Sequence, residues 1–145
     1  MSIDPLSEAL YRYRLATSHL TRAERLLALG DWAGTVHFVQ LAVKNFAKTI
    51  IALYEVPTWS HDPSNQLLRL LDRVPQDLIE EARELALTAR EIASEHGRST
   101  YGEPEGRLTP DNLYTEAYAR DLVTKARRAR EIVAQVFKTL NITVD

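Results

Sequence analysis

No cysteine occurs in the 145 residues, so disulfides and thiolate metal sites are excluded. That lack suits a reducing compartment, and a cytoplasmic location is the expectation. Neither charge is in excess: 18 Lys and Arg face 20 Asp and Glu, a formal net charge of −2. Nucleic-acid binding through the whole surface is thereby excluded, and any anion site has to be a local patch. No apolar run reaches the ~18 residues of a membrane span. The opening MSIDPLSEALYRYR also lacks the apolar core of a signal peptide, so no membrane association is expected. No glycine-rich phosphate loop, no GxSxG and no strand-like alternation is present. No pair of His, Asp or Glu has metal-ligand spacing on one helical face, so neither a metal nor another cofactor is expected.

What the sequence does contain is helical periodicity between clear stops. Asp4-Pro5 reads as an N-cap followed by the first helical residue, and Gly30 as a stop. From Trp32 through Val36, Val39, Val43, Phe46 and Ile50 to Leu53 the apolar residues step by four and three, and Val56-Pro57 ends the pattern. Asp62-Pro63 repeats the cap signal. A further seam runs from Leu78 through Ala82, Leu85, Ala89 and Ile92 to His96, with Gly97 as the expected C′ residue. Thr109-Pro110 caps a last helix with core positions Leu113, Ala117, Leu122, Ala126, Ala129, Ile132, Val136 and Leu140. The spacing predicts helices over 5–29, 32–55, 63–73, 76–96 and 110–140, with a loop from Gly97 to Thr109. The fold class is all-α: one domain over 1–145, an antiparallel up-and-down bundle of four long helices plus one short helix.

The order of several short features adds a resemblance. FVQLAVKNFAKTIIALYEV carries Gln40, Ala42 and Lys48; SHDPSNQLLRLL opens on a His at position 61; RSTYGEPEG sets Arg98, Tyr101 and Gly102 before the proline-capped last helix. This order resembles the HEPN family of helical bundles over roughly Ala9 to Phe137. Lys44 stands where many relatives carry a Glu. The resemblance implies a homodimer, and it implies one of several roles. These are a binding module for a nucleotide, RNA or a minimal nucleotidyltransferase partner, as in toxin–antitoxin pairs; a metal-independent ribonuclease using an Arg-x4-6-His motif; or a structural dimer with no ligand.

Three groups of residues bear on that choice. Arg90 and His96 form an Arg-x5-His pattern, the composition a metal-free ribonuclease needs. On a continuous helix, however, they project roughly 120° apart. His96 also continues the apolar seam, and Glu91 adds negative charge beside the Arg. Weak or absent cleavage is therefore expected, with His96 read as a C-terminal cap. Arg98, Tyr101 and Arg107, just before the last helix, offer a phosphate fork and a stacking face, against the alternative that Arg98 pairs with Glu103 or Glu105. Arg127 and Arg128 belong to the one basic cluster, RDLVTKARRAR, read either as an RNA contact or as a solvated outer face. His37, Gln40, Lys44 and Lys48 form a polar flank of the second helix, while His19 and His61 stand isolated. Tyr11, Trp59, Tyr114 and Tyr118 lie off the seams and are read as dimer-interface material.

Overall fold

A computed structural model describes residues 4–144. The single-domain reading also takes in Met1–Ile3 and Asp145, which lie outside the described residues, as does the start of the segment read as lacking a leader.

The described chain is helical throughout, apart from loops and one isolated bridge between Glu103 and Leu108. Helix α1 spans Pro5–Ala28 and α2 spans Trp32–Ala52. Asp4 caps α1 by accepting from the Leu6 amide, and Asp31 caps α2 by accepting from Gly34. Gly30 joins the two helices at φ 79°, a value that favours glycine. The short connection makes α1 and α2 an antiparallel hairpin. Helix α3 is Ser64–Arg69, a 3₁₀ turn covers Gln76–Leu78, and α4 is Ile79–Ile92. Helices α5 (Glu95–Tyr101) and α6 (Pro110–Leu113) precede the long α7 (Glu116–Thr139).

Helix α2 is the centre of the bundle. It packs against α1, α7, α5, α4 and α3, and all but one stripe of its surface is buried. The core joins Val36, Val43, Phe46 and Ile50 of α2 to Leu20 of α1, Leu85 of α4, and Leu122, Ile132 and Phe137 of α7. Tyr13 of α1 wedges between Phe46 and Phe137 with ring centroids 6.0 and 5.4 Å away. No described helix is long and apolar enough to cross a membrane.

Several expected boundaries are corrected. The second helix ends at Ala52, and the short third helix stops at Arg69. The fourth seam does not run on to His96. After Ile92 the hydrogen bonds tighten to three-residue spacing, Ala93 to Arg90 and His96 to Ala93, and a new helix starts at Glu95. Gly97 therefore lies inside α5, and most of the expected loop's first part is helical. The stop falls at Gly102 instead. There φ is 73° and an added Cβ would lie 2.0 Å from the Leu108 carbonyl oxygen, so only glycine fits. The last helix is broken too, because Tyr114 is extended between α6 and α7. The expected core positions Leu122, Ala126, Ala129, Ile132 and Val136 are buried, and Ala119, Val123, Val133 and Phe137 widen that face, whereas Ala117 and Leu140 are exposed.

Candidate functional site

The site is set by the stripe of α2 that carries half-buried His37 and Lys44 and runs on to buried Lys48. His37, Lys44 and Lys48 project within about 40° of one another by helical geometry. Around them stand His61, from the loop before α3, and His96, in the first turn of α5. The His61 and His96 rings stack with centroids 3.7 Å apart and planes at 19°. Lys44 Nζ lies 3.4 Å from His61 Nδ1. An ammonium donates there, so Nδ1 is the unprotonated ring nitrogen. His37 Nδ1 lies 3.0 Å from Ser99 Oγ on α5. Arg90, at the end of α4, donates to Ser64 Oγ and Asn65 Oδ1. Arg90 and His96 thus both reach the 61–65 segment.

The helix break makes this possible. On an unbroken α4, His96 would continue inward along the seam. Instead Glu95 takes the inward position at 2 % exposure, and His96 turns towards His61. Glu91 points away as well, its carboxylate 2.7 Å from Lys125 Nζ of α7. Arg90 and His96 thus meet the 61–65 segment at different residues, Arg90 at Ser64 and Asn65 and His96 at His61, while Glu91 is turned to α7.

The site's electrostatics are one-sided. All four histidines have pKa values lowered, with burial as the leading cause and the Lys44 charge contributing to each. Burial and then Arg12 lower Lys44 itself. Lys48, 5 % exposed, is pushed down to about 8 by burial, Lys44 and Arg12. No carboxylate among the described residues counters these shifts. Glu8 lies 3.0 Å from Arg12 and is committed to it. Buried His96 Nδ1 and Gln40 Nε2 have no hydrogen-bond partner among the described residues. Beside the cluster, a cavity of about 440 Å³ is lined by Asp31, Gly34, His37, Ser99, Thr100 and Asp111.

The other candidates have different surroundings. Arg98 donates to Glu95 at 2.7 Å and Glu103 at 3.2 Å. Glu95 also accepts from the hydroxyls of Tyr114 and Tyr118, the latter at 2.9 Å. Burial and then the Glu95 bond raise both phenols, Tyr118 to about 12. Tyr101 is exposed, and so is Arg107, which sits at φ 54°. The loop cavity beside them, about 590 Å³, is lined by Gly102, Glu103, Pro104, Glu105 and Gly106, with no cation. Arg127 pairs with Glu24 at 2.9 Å, and Arg128 with Glu84 at 2.8 Å. Tyr114 and Tyr118 are thus held by an internal carboxylate, and Tyr114 is buried rather than offered to a partner. Trp59 is 93 % exposed and Tyr11 is exposed.

Sequence reasoning missed Glu95, and missed that His61 and His96 would stack. The available signal was Tyr114 and Tyr118, two phenols four residues apart that each need an acceptor. Among the described residues, no group of three His, Asp or Glu is placed to hold a metal ion.

An all-α bundle built around a nearly engulfed central helix, with one basic stripe left open, defines the structural class. The HEPN domain model matches residues 9–136, and the chain belongs to the HEPN domain family. Comparison with curated proteins gives no match. Among solved structures, the chain is similar to TT1696 from Thermus thermophilus, with a TM-score of 0.67 and 23% identity. That match covers 88% of this chain and 97% of TT1696, and it shows the shared fold.

Proposed function

We propose that this HEPN chain is a binding module for the phosphate of a nucleotide or RNA, held over Lys44, Lys48, His61 and His96. The observation that carries this reading is the carboxylate-free cluster itself. Burying like charges without counter-ions is costly, and a bound anion removes the cost. The ammonium groups form charge-assisted hydrogen bonds to phosphate oxygens, and each neutral imidazole adds one N–H donor. The adjoining cavity, of ligand-pocket size, offers room for the rest of a nucleotide. The test is titration of a short RNA into the protein at low salt, with Lys44→Ala and His96→Ala as variants. Loss of affinity by at least tenfold in each supports the reading. Unchanged affinity in both refutes it.

A second reading, metal-independent RNA cleavage, is favoured by the break at Ala93-Ser94. Two imidazoles biased towards the neutral form lie in contact, so one can take the 2′-hydroxyl proton while the other, protonated, gives a proton to the leaving oxygen. Arg90 and Lys44 flank them to offset charge on the phosphorane. RNA cleavage in EDTA that vanishes in His61→Ala, His96→Ala and Arg90→Ala, each folded, would establish it. Intact RNA leaves the binding reading alone. Either reading is compatible with a homodimer or with a minimal nucleotidyltransferase partner, both proposed from the family alone. Light scattering of the purified chain, alone and mixed with such a partner, tests both.

A further inference from the structure

Resting on the phosphate reading above, we infer that the site selects a terminal phosphate, a phosphomonoester dianion on a nucleotide or an oligonucleotide end, over an internal phosphodiester.

The cations sit at different depths. Lys48 is the innermost, at 5 % exposure, yet its ammonium makes no hydrogen bond with any described residue and is not among the side-chain atoms sealed from solvent without a partner. Lys44 and His61 stand nearer the surface, and His96 stacks on His61. Lys48 lies close enough to Lys44 and His61 for their charges to act on one another, so one ligand that meets all three reaches Lys48 end-on, past the two shallower groups. An internal phosphodiester has sugars on both sides and two free oxygens. A terminal phosphate has one ester link, three free oxygens and, above its second pKa of about 6, close to two negative charges. Three oxygens match Lys48, Lys44 and the imidazole pair. The second charge also matters, because Arg12, Lys44 and Lys48 crowd together while Glu8 is committed to Arg12. The charged groups around the phosphate are thus His37, Lys44 and Lys48 from α2, His61 and His96 from the neighbouring segments and Arg90 at the end of α4, with Arg12 of α1, paired to Glu8, behind Lys48.

The test compares adenosine 5′-monophosphate with adenylyl-3′,5′-adenosine, which carries the same base but only a diester. Calorimetric titrations at about pH 7.5 and low salt are run on the whole protein and on Lys48→Met. That variant removes a buried charge, and a thermal melt verifies its folding. The expected result is at least tenfold tighter binding of the monophosphate, with the preference falling to threefold or less in Lys48→Met. Preference should also shrink towards pH 5.5, where the monophosphate loses its second charge. Equal affinity of the two ligands, or a preference untouched by Lys48→Met, overturns end selection while leaving phosphate binding standing. Binding of neither ligand overturns the phosphate reading and this inference with it.

Discussion

Two parts of the molecule are rich in basic side chains, and they are built in opposite ways. Along α5 and α7 the principal cations have carboxylate partners: Arg98 with Glu95 and Glu103, Lys125 with Glu91, Arg127 with Glu24 and Arg128 with Glu84. Along α2 the cations have none among the described residues, and burial first, with the Lys44 charge adding to it, holds the pKa values of Lys48, His61 and His96 down. The first arrangement ties helices together. The second is paid for in stability and leaves binding capacity open. A count of basic residues along the sequence favours the α7 cluster, whereas pairing in three dimensions favours the α2 stripe.

Substitutions that reverse each arrangement sharpen the contrast. The largest effect is expected at the clasp. Glu95→Ala leaves Arg98 and two phenols without their shared acceptor, and should destabilise by about 3–5 kcal/mol. Urea unfolding measures this, and a loss below about 1 kcal/mol would mean the clasp holds nothing. The opposite sign is expected at Lys48. Its pKa of about 8 in the fold lies below the ordinary 10.5, so the unfolded chain binds the proton more tightly. Lys48→Met should therefore stabilise by about 1–3 kcal/mol near neutral pH. A destabilised variant would show that Lys48 is paired after all.

The pH dependence follows with the same sign. In the fold the histidines titrate below the unfolded value of about 6.5, so the unfolded chain takes up protons first as pH falls. Their contribution is intact above about pH 6.5, and is lost as pH drops from there through the folded values. A His61→Gln, His96→Gln double variant should flatten that part of the urea-midpoint profile between about pH 7 and pH 5. A profile unchanged by the double variant would remove these imidazoles from the balance. The smallest effect belongs to α7. Arg128→Ala, in an exposed pair, should change stability by no more than about 1 kcal/mol. It should leave nucleotide affinity where it was, and a lost affinity would move the anion site to α7.

Much of the fold was legible because its signals are local. Asp4-Pro5, Gly30 and Thr109-Pro110 mark starts and stops through backbone chemistry alone, and the four-three stepping from Trp32 to Leu53 picks out the central helix. What was not legible depends on contacts distant in sequence. The seam through Ile92 pointed on to His96, because period alone cannot register that Tyr114 and Tyr118 draw Glu95 inward and tighten the helix by a fraction of a turn. His61 looked isolated since its neighbours, Lys44 and His96, are 17 and 35 positions away. At the Arg98–Tyr101 corner the pairing of Arg98 with Glu103 was among the readings, but its closer partner Glu95 lay in what read as a continuous helix.

The central claim is that the unpaired basic stripe, and not the paired one, receives the anion. The direct measurement is an NMR titration following the imidazole signals of His61 and His96 as adenosine 5′-monophosphate is added at about pH 7. Saturable shifts at both histidines and a rise in their pKa values on binding are expected. The backbone amides of Arg98, Tyr101, Arg127 and Arg128 should stay nearly unmoved. Shifts concentrated at those four residues, with His61 and His96 silent, would contradict it.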